Sequence, residues 1–429
     1  VHKILKRVKL EEWYAVILSF FYFFSVLSSY YVLRPLRDQL AAEVGSVKLP
    51  LFFTITFIAT LILTPLFSWV VSKWSRHIIL PLIYLFFIGC QIAFIPLFLD
   101  QSLISLSHLG LIFFVWVSVF NLFVVSVFWS FMTDIWSDEQ ARRLFPIIAL
   151  GGTAGAVVGP FITRYLVQDI GLPFLLVISA SLLGLAVVCI ILLGRWAHEF
   201  SVNRFKSDNE APLGGGMWDG LKQLFGNYFI TNMSIMMLLA DAIGTIAYVF
   251  VTDYSGMAFP KDAIARTRFA AGMDLAANII QVVLQLTITR WLLIRFGAGS
   301  IFAVTSTVVV LASLCIAFIP NAFVPLIGIF PAVALLLILT RALSHGMIQP
   351  ARETLYTLVP RDLRYKGKNA VDTVVWRAGD VASLISVNAL KAIGVTISGF
   401  GILWAIFAAA SGYIGWNLSN QVEKGEFEK

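Results

Sequence analysis

The chain has 429 residues, 59% of them hydrophobic and only 13% charged, with a net charge of +7 and a mean hydropathy of +0.87. So few polar side chains cannot cover the surface of a soluble domain, which excludes that class. The positive balance needs no nucleic-acid partner, because basic loops beside anionic lipid account for it.

Apolar runs recur at 14–40, 49–72, 78–99, 106–135, 145–168, 171–194, 227–253, 268–293, 297–319, 322–348, 368–393 and 396–417. Each is long enough to cross a bilayer core, which takes about 20 residues of helix. The predicted fold class is an all-α membrane protein with twelve transmembrane helices in two six-helix pseudo-repeats. Most connections are short. The exception is the polar stretch around Gly214, Gly215 and Gly216. It predicts an N-terminal bundle over 1–195, a cytoplasmic linker over 196–225 and a C-terminal bundle over 226–429. About two thirds of the 31 Lys and Arg lie on the side of the termini, among them Lys6, Arg7, Arg143, Arg195, Lys222, Arg361 and Lys424. The positive-inside rule then places both termini in the cytoplasm, as expected for a multi-pass protein of a bacterial inner membrane. The first run leads straight into the rest of the chain, so no cleavable signal is expected.

The first span holds Tyr30, Arg34, Arg37 and Asp38 around Pro35. Two arginines within a membrane helix cost several kcal/mol unless paired or wetted. Their guanidinium forks match phosphate or carboxylate oxygens, which makes them candidate substrate ligands. The other reading is that one of them pairs with Asp38 or reaches the outer interface. In the fifth span, Gly155, Gly159 and Pro160 allow close helix approach with a bend. That spacing is similar to a Gly-x-x-x-Gly-Pro motif found in antiporters of the major facilitator superfamily. Arg164 is placed at the outer interface.

The seventh span sets Asp241, Thr245, Tyr248 and Thr252 on one face. The eighth sets Asp274, Asn278, Gln281 and Gln285 on one face. Such stripes face a cavity or a partner helix rather than lipid, and Asp241 is a candidate proton site. Arg341 adds a cation in the tenth span, expected to meet a carbonyl or carboxylate. The eleventh span carries Asp372, Trp376, Arg377 and Asp380. Arg377 with Asp380 reads as an internal ion pair or as half of a gate. Arg377 joins Tyr30, Arg34, Arg37, Asp274, Asn278 and Gln281 as candidate substrate ligands; Asp38, Asp241, Asp372 and Asp380 are the candidate coupling or gating groups.

At an offset of 224, Asp138 falls on Asp362, Arg142 on Lys366 and Gly155 on Gly379. The match is local, since Trp129 falls on Glu353. Duplicated halves suit a transporter that exposes a site alternately to each side. No Walker loop, HExxH, GxSxG or CxxC is present, so no enzyme activity is expected. Cys90, Cys189 and Cys315 fall within spans as packing residues. No cofactor and no metal are expected.

Three segments together resemble the nucleotide (ATP/ADP) translocase family of intracellular bacteria and plastids, a divergent relative of the major facilitators. Val32-Leu33-Arg34-Pro35-Leu36-Arg37-Asp38 is similar to the family's Ile-Leu-Arg-Asp-x-Lys-Asp. Phe128-Trp129-Ser130-Phe131 with Asp134-Ile135, then Glu139-Gln140-Ala141-Arg142-Arg143 and Phe145-Pro146, resembles its Phe-Trp-x-Phe-Ala-Asn-x-Ile segment and Glu-Ala-Lys-Arg-Phe tail. Lys366-Gly367-Lys368-Asn369-Ala370-Val371-Asp372 resembles its Lys-Gly-Lys-x-Ala-x-Asp. The resemblance implies a twelve-helix facilitator fold and exchange of ATP for ADP, or proton-linked nucleotide uptake. It sets Arg37 where the family has a substrate-related lysine, and Lys366, Lys368 and Asp372 on its second basic motif. The chain departs from the family at 116–121, which lacks a carboxylate, and matches a second-half Glu only loosely, by Asp253. These departures leave open a bacterial side branch with another anionic substrate.

The expected function is secondary active transport of an anionic, nucleotide-like metabolite by exchange or proton symport, by a monomer. The alternatives are a proton-coupled efflux antiporter for drugs or siderophore-like compounds, and a non-transporting scaffold or receptor.

Overall fold

The computed structural model describes residues 9, 12–73, 76–100, 102–200, 226–326, 328–359, 368 and 371–425. Helices follow one another as α1 (Trp13–Val44), α2 (Leu49–Lys73), α3 (Arg76–Leu99), α4 (Leu106–Ile135), α5 (Asp138–Phe200) and α6 (Tyr228–Ala258). Then come α7 (Ala263–Leu284), α8 (Arg290–Phe318), α9 (Ala332–Leu343), α10 (Gln349–Thr357), α11 (Trp376–Ala392) and α12 (Ile397–Glu423). Single π turns at Gln285–Thr289, Ser344–Ile348 and Val371–Val375 join α7 to α8, join α9 to α10, and open α11.

The 63 residues of α5 would reach about 95 Å if straight, three times a bilayer core. The helix instead breaks at Gly171, whose φ of 77° only glycine adopts easily. Thr163 on one side of the break donates to the Val32 carbonyl at 3.3 Å, and Ser179 on the other side donates to that of Ser29 at 3.0 Å. Both legs therefore lie along the same stretch of α1. Gly297, with φ 75°, breaks α8 in the same way. Among the described residues nine helices are long and apolar enough to cross a membrane; the two breaks divide them into eleven, and α11, more polar and opened by a π turn, occupies the place of the predicted eleventh span, for twelve in all.

The tenth crossing is displaced from its expected start. Residues 323–331 form a short hairpin of β1 (Phe323–Pro325) against β2 (Ile329–Pro331), and the helix begins only at Ala332 and runs through to Thr357. Pro325 and Pro331 lack the N–H a helix needs, so this apolar segment turns instead. Gln285 also leaves its expected stripe: it opens a π turn and is exposed. The linker lies outside the described residues over 201–225, as do Asp362 and Lys366.

The described residues form two compact units, one within Val1–Gly45, Ile55–Glu210 and Ser255–Leu275, the other within Ser46–Thr54, Ala211–Tyr254 and Ala276–Lys429. The first has an aromatic core. Phe23 stacks on Phe128 at 4.1 Å, and the buried Tyr22 hydroxyl donates to that of Tyr84 at 2.8 Å, which in turn donates to the Val124 carbonyl at 2.9 Å. In the second, Ser306 of α8 donates to the Ala408 carbonyl of α12 at 2.6 Å, and Phe400 and Trp404 pack on Phe250.

The internal repeat appears in packing as well as in sequence. A Cβ at Gly155 would strike the backbone of Phe24 in α1; a Cβ at Gly379 would strike the side chain of Leu238 in α6. The equivalent glycines press α5 onto α1 and α11 onto α6. Gly159 continues the contact, its Cβ position 2.6 Å from that of Tyr31. The small residues of the fifth span are thus helix-packing residues.

At the start of α1, Glu12 fastens two distant segments. Its carboxylate accepts from Arg143 at 2.8 and 2.6 Å, from Gln140 at 2.9 Å and from the Lys9 backbone at 3.0 Å. Burial alone would push the Glu12 carboxyl up. The hydrogen bonds of Arg143, Gln140 and Lys9 and the Arg143 charge outweigh burial and hold it at about 2.

Two outcomes are expected. Gly155→Leu destabilises the protein by about 1–3 kcal/mol or more, because backbone cannot yield to the added side chain. Gly89→Leu, with nothing within 4 Å of its Cβ position, does not. Thermal unfolding in detergent, followed by size exclusion, compares the two. For Glu12 the folded carboxyl is the stronger acid, so its stabilisation is full above about 4.5 and is lost as pH falls toward about 2. Glu12→Gln should lower the thermal midpoint near neutrality and flatten its fall across that acid window.

Candidate functional site

In the first unit, α1 carries two cations on successive turns. Arg37 clamps its neighbour: Nε and Nη2 donate to Asp38 Oδ1 at 3.0 and 2.8 Å, and the guanidinium lies over the Phe114 ring at 4.8 Å. Its charge is thus met by an adjacent carboxylate, one of the alternatives the sequence leaves open. Arg34 turns elsewhere. Its Nη1 stands 3.5 Å from Oδ1 of the fully buried Asp274 in α7, its plane is 5.7 Å from the Tyr31 ring, and its Nε is buried without a hydrogen-bond partner. Tyr30 is buried edge-on to Tyr31 at 5.0 Å.

A second ion pair joins the same two helices. Arg266, in the first turn of α7 and 3% exposed, meets Glu43 in the last turn of α1. The stretch from Arg34 to Glu43 matches that from Asp274 back to Arg266, so α1 and α7 run antiparallel with charges paired at two depths. Arg164 donates to the Arg268 carbonyl at 3.4 Å, and Arg268 to Gln168 at 3.1 Å.

In the second unit, acids from two helices converge. Asp241 of α6 and Asp380 of α11 lie within hydrogen-bond reach of each other, and Asp241 also meets the Trp376 side chain. Thr245, one turn along α6, donates to Asp380 Oδ1 at 2.8 Å. Arg377 stands 3.9 Å from Asp380 Oδ2. Asp241 and Trp376 line a cavity of about 130 Å³ that also takes in Met236, Thr305, Arg341 and His345. Two of the π turns shape it: Ser344–Ile348 supplies His345, and Trp376 follows Val371–Val375 directly. A π turn adds one residue and so re-aims the side chains beyond it. Arg341 lies over the Tyr248 ring at 5.8 Å. Asn278, buried, and Gln281, half-buried, belong to this unit as well.

Asp372 joins a separate network. It accepts from the buried Arg352 at 2.6 Å, while Glu353 meets Arg352 at 3.3 Å and Lys368 at 2.6 Å. Lys391 of α11 pairs with Asp253 of α6 at 2.5 Å and lies 4.4 Å from the Phe250 ring. Arg266, Glu43, Arg352 and Glu353 were not among the sequence-derived site residues. Each stands near a span end, where a charge reads as a topology marker; the contacts, and the burial of Arg266 and Arg352, show that they are paired.

The structure thus groups the candidate residues as Arg34 with Asp274, Arg37 with Asp38, and Asp241 with Asp380 and Arg377. No known protein-family profile matches the chain. Over 287 residues, 61% of its length, it is 24% identical to ADP,ATP carrier protein 1, chloroplastic, of Arabidopsis thaliana. Over a stretch of the same length it is 25% identical to the plastidic ATP/ADP-transporter of Solanum tuberosum. The chain spans 45% of each of these relatives. Among solved structures it is similar to a POT family transporter in complex with a thioalcohol-conjugated peptide (TM-score 0.62, 12% identity, 98% of this chain and 99% of that one). It is also similar to the nucleoside transporter NupG (TM-score 0.59, 14% identity, 96% and 99%). A third likeness is to a bacterial homologue of the lysosomal transporter Spinster in an inward-facing, unoccupied conformation (TM-score 0.57, 13% identity, 98% and 99%). At such identities the likeness speaks for fold, and the fold is that of the major facilitator superfamily in a multi-pass membrane protein.

Proposed function

We propose that this protein is a secondary active transporter that moves an anionic, nucleotide-like metabolite by alternating access. The observation that carries the reading is Arg34: a guanidinium about two thirds of the way along a membrane helix, touching its acidic partner once at 3.5 Å and keeping a buried Nε without a hydrogen bond. A buried cation with unused donors is held at a cost, which a phosphate or carboxylate would offset by filling them. The facilitator fold and the names of the plastidic relatives support the same direction.

In this mechanism the incoming anion competes with Asp274 for Arg34 and loosens α7 from α1. Arg37 is neutralised by Asp38 and leaves Arg34 as the cation that takes the anion; Tyr30 gives an aromatic edge. Six-helix bundles over 1–195 and 226–429, joined by a cytoplasmic linker, would act as the moving halves. A bacterial inner membrane with both termini in the cytoplasm, and a monomeric unit, complete the proposal.

The test is uptake of labelled ATP, ADP and other organic anions into proteoliposomes. Charge-assisted hydrogen bonds are worth about 1.5–3 kcal/mol, so Arg34→Ala should cut uptake roughly ten- to hundredfold. Arg34→Lys should recover little of it, since an ammonium lacks the planar fork. Unchanged uptake by Arg34→Ala would remove the arginine from the mechanism.

A further inference from the structure

We propose that Asp241 and Asp380 hold one exchangeable proton between them, and that this pair couples transport to proton movement. The proposal rests on the transporter reading above and assigns its driving ion. Two ionised carboxylates are acceptors only, so carboxyl groups within hydrogen-bond reach need a proton between them. Asp380 is 6% exposed, with one oxygen taken by Thr245 and the other facing Arg377. Asp241 keeps Oδ2 buried without a partner and lines the cavity.

Arg377 is the cation within ion-pair range of Asp380, and with the two carboxylates it leaves one negative charge that a single shared proton removes; Arg341, which also lines the cavity, lies over the Tyr248 ring from α9. His345 of the π turn, 3.2 Å from Gln349, lines it too. The walls supplied by α8 and α12 bring hydroxyls and apolar groups, Thr305, Ser306 and Ser411 among them. The cavity is roomy enough for water, which gives the proton a way in and out. On release, one O–H bond of the pair breaks, the proton passes to cavity water, and Arg377 faces two carboxylates.

The first arm of the test needs no substrate. In nanodiscs at neutral pH, the infrared spectrum of the wild type should show a protonated-carboxyl band. Asp241→Asn and Asp380→Asn should each lose it; Asp169→Asn, at an exposed position beside Gly171, should keep it. A band absent from the wild type, or kept by both variants, overturns the shared proton. The second arm uses proteoliposomes and labelled ATP. Accumulation driven by a pH gradient should vanish in Asp380→Asn, while counterflow of ATP against ADP continues. Sodium-driven accumulation, or unchanged proton-driven accumulation in both variants, overturns the coupling. A wild type that shows the band yet carries neither nucleotide counts against the nucleotide reading alone.

Discussion

Inside a bilayer a charged side chain has no water to fall back on, so a cation needs a carboxylate, a carbonyl or an aromatic face at its own depth. That constraint organises this protein more than any single apolar contact. Apolar helices slide past one another at little cost in lipid, since tails and leucines are equally greasy. Ion pairs do not slide. Arg34 with Asp274 and Arg266 with Glu43 fix the register of α7 on α1, and Asp253 with Lys391 fixes that of α6 and α11. Glycine contacts supply closeness and the charge pairs supply alignment.

These pairs are poor devices for stability alone. Replacing a buried pair with well-packed apolar residues is often neutral or favourable, whereas breaking one costs about 3–5 kcal/mol. A chain needing only a firm bundle would do better with leucines at 34 and 274. The Glu12–Arg143 clamp is different in kind. It sits at a span end, makes four hydrogen bonds, and reads as a structural fastening.

Span lengths were legible in the sequence because bilayer thickness dictates them, and the breaks at Gly171 and Gly297 fall where the predicted runs change over. The tenth span was misjudged because hydropathy cannot tell an apolar hairpin from a helix start, although Pro325 and Pro331 carried the clue. The partners of the buried charges were not legible. Asp38 lies one helical turn beyond Arg34 and looks available to it, but Arg37, next door, takes it first and leaves Arg34 to an acid 240 residues away. The acid pair was half visible: Asp241 and Asp380 each stood out, but their meeting depends on how α11 packs on α6. The π turns left no mark, since one inserted residue hardly changes an apolar pattern.

The repeat makes the asymmetry of the chemistry informative. Gly155 sets α5 close on the α1 backbone and Gly379 sets α11 close on the Leu238 side chain of α6, so the two halves place a glycine at corresponding helix contacts. The charges do not correspond. In the first unit Arg34 and Arg37 each face one carboxylate; in the second, Asp241 and Asp380 come together, with Arg377 beside Asp380 and Arg341 in the wall of the same cavity. A guanidinium with an unfilled buried donor suits an anion, and two carboxyl groups brought together suit a proton. If the first unit loads one negative charge when the second loads one positive, the loaded protein gains no net charge. Moving it across hydrocarbon then costs no more than moving it empty. A reversed assignment, with the anion on the carboxylates, would bring like charges together in a low dielectric, a cost that binding at Arg34 does not carry.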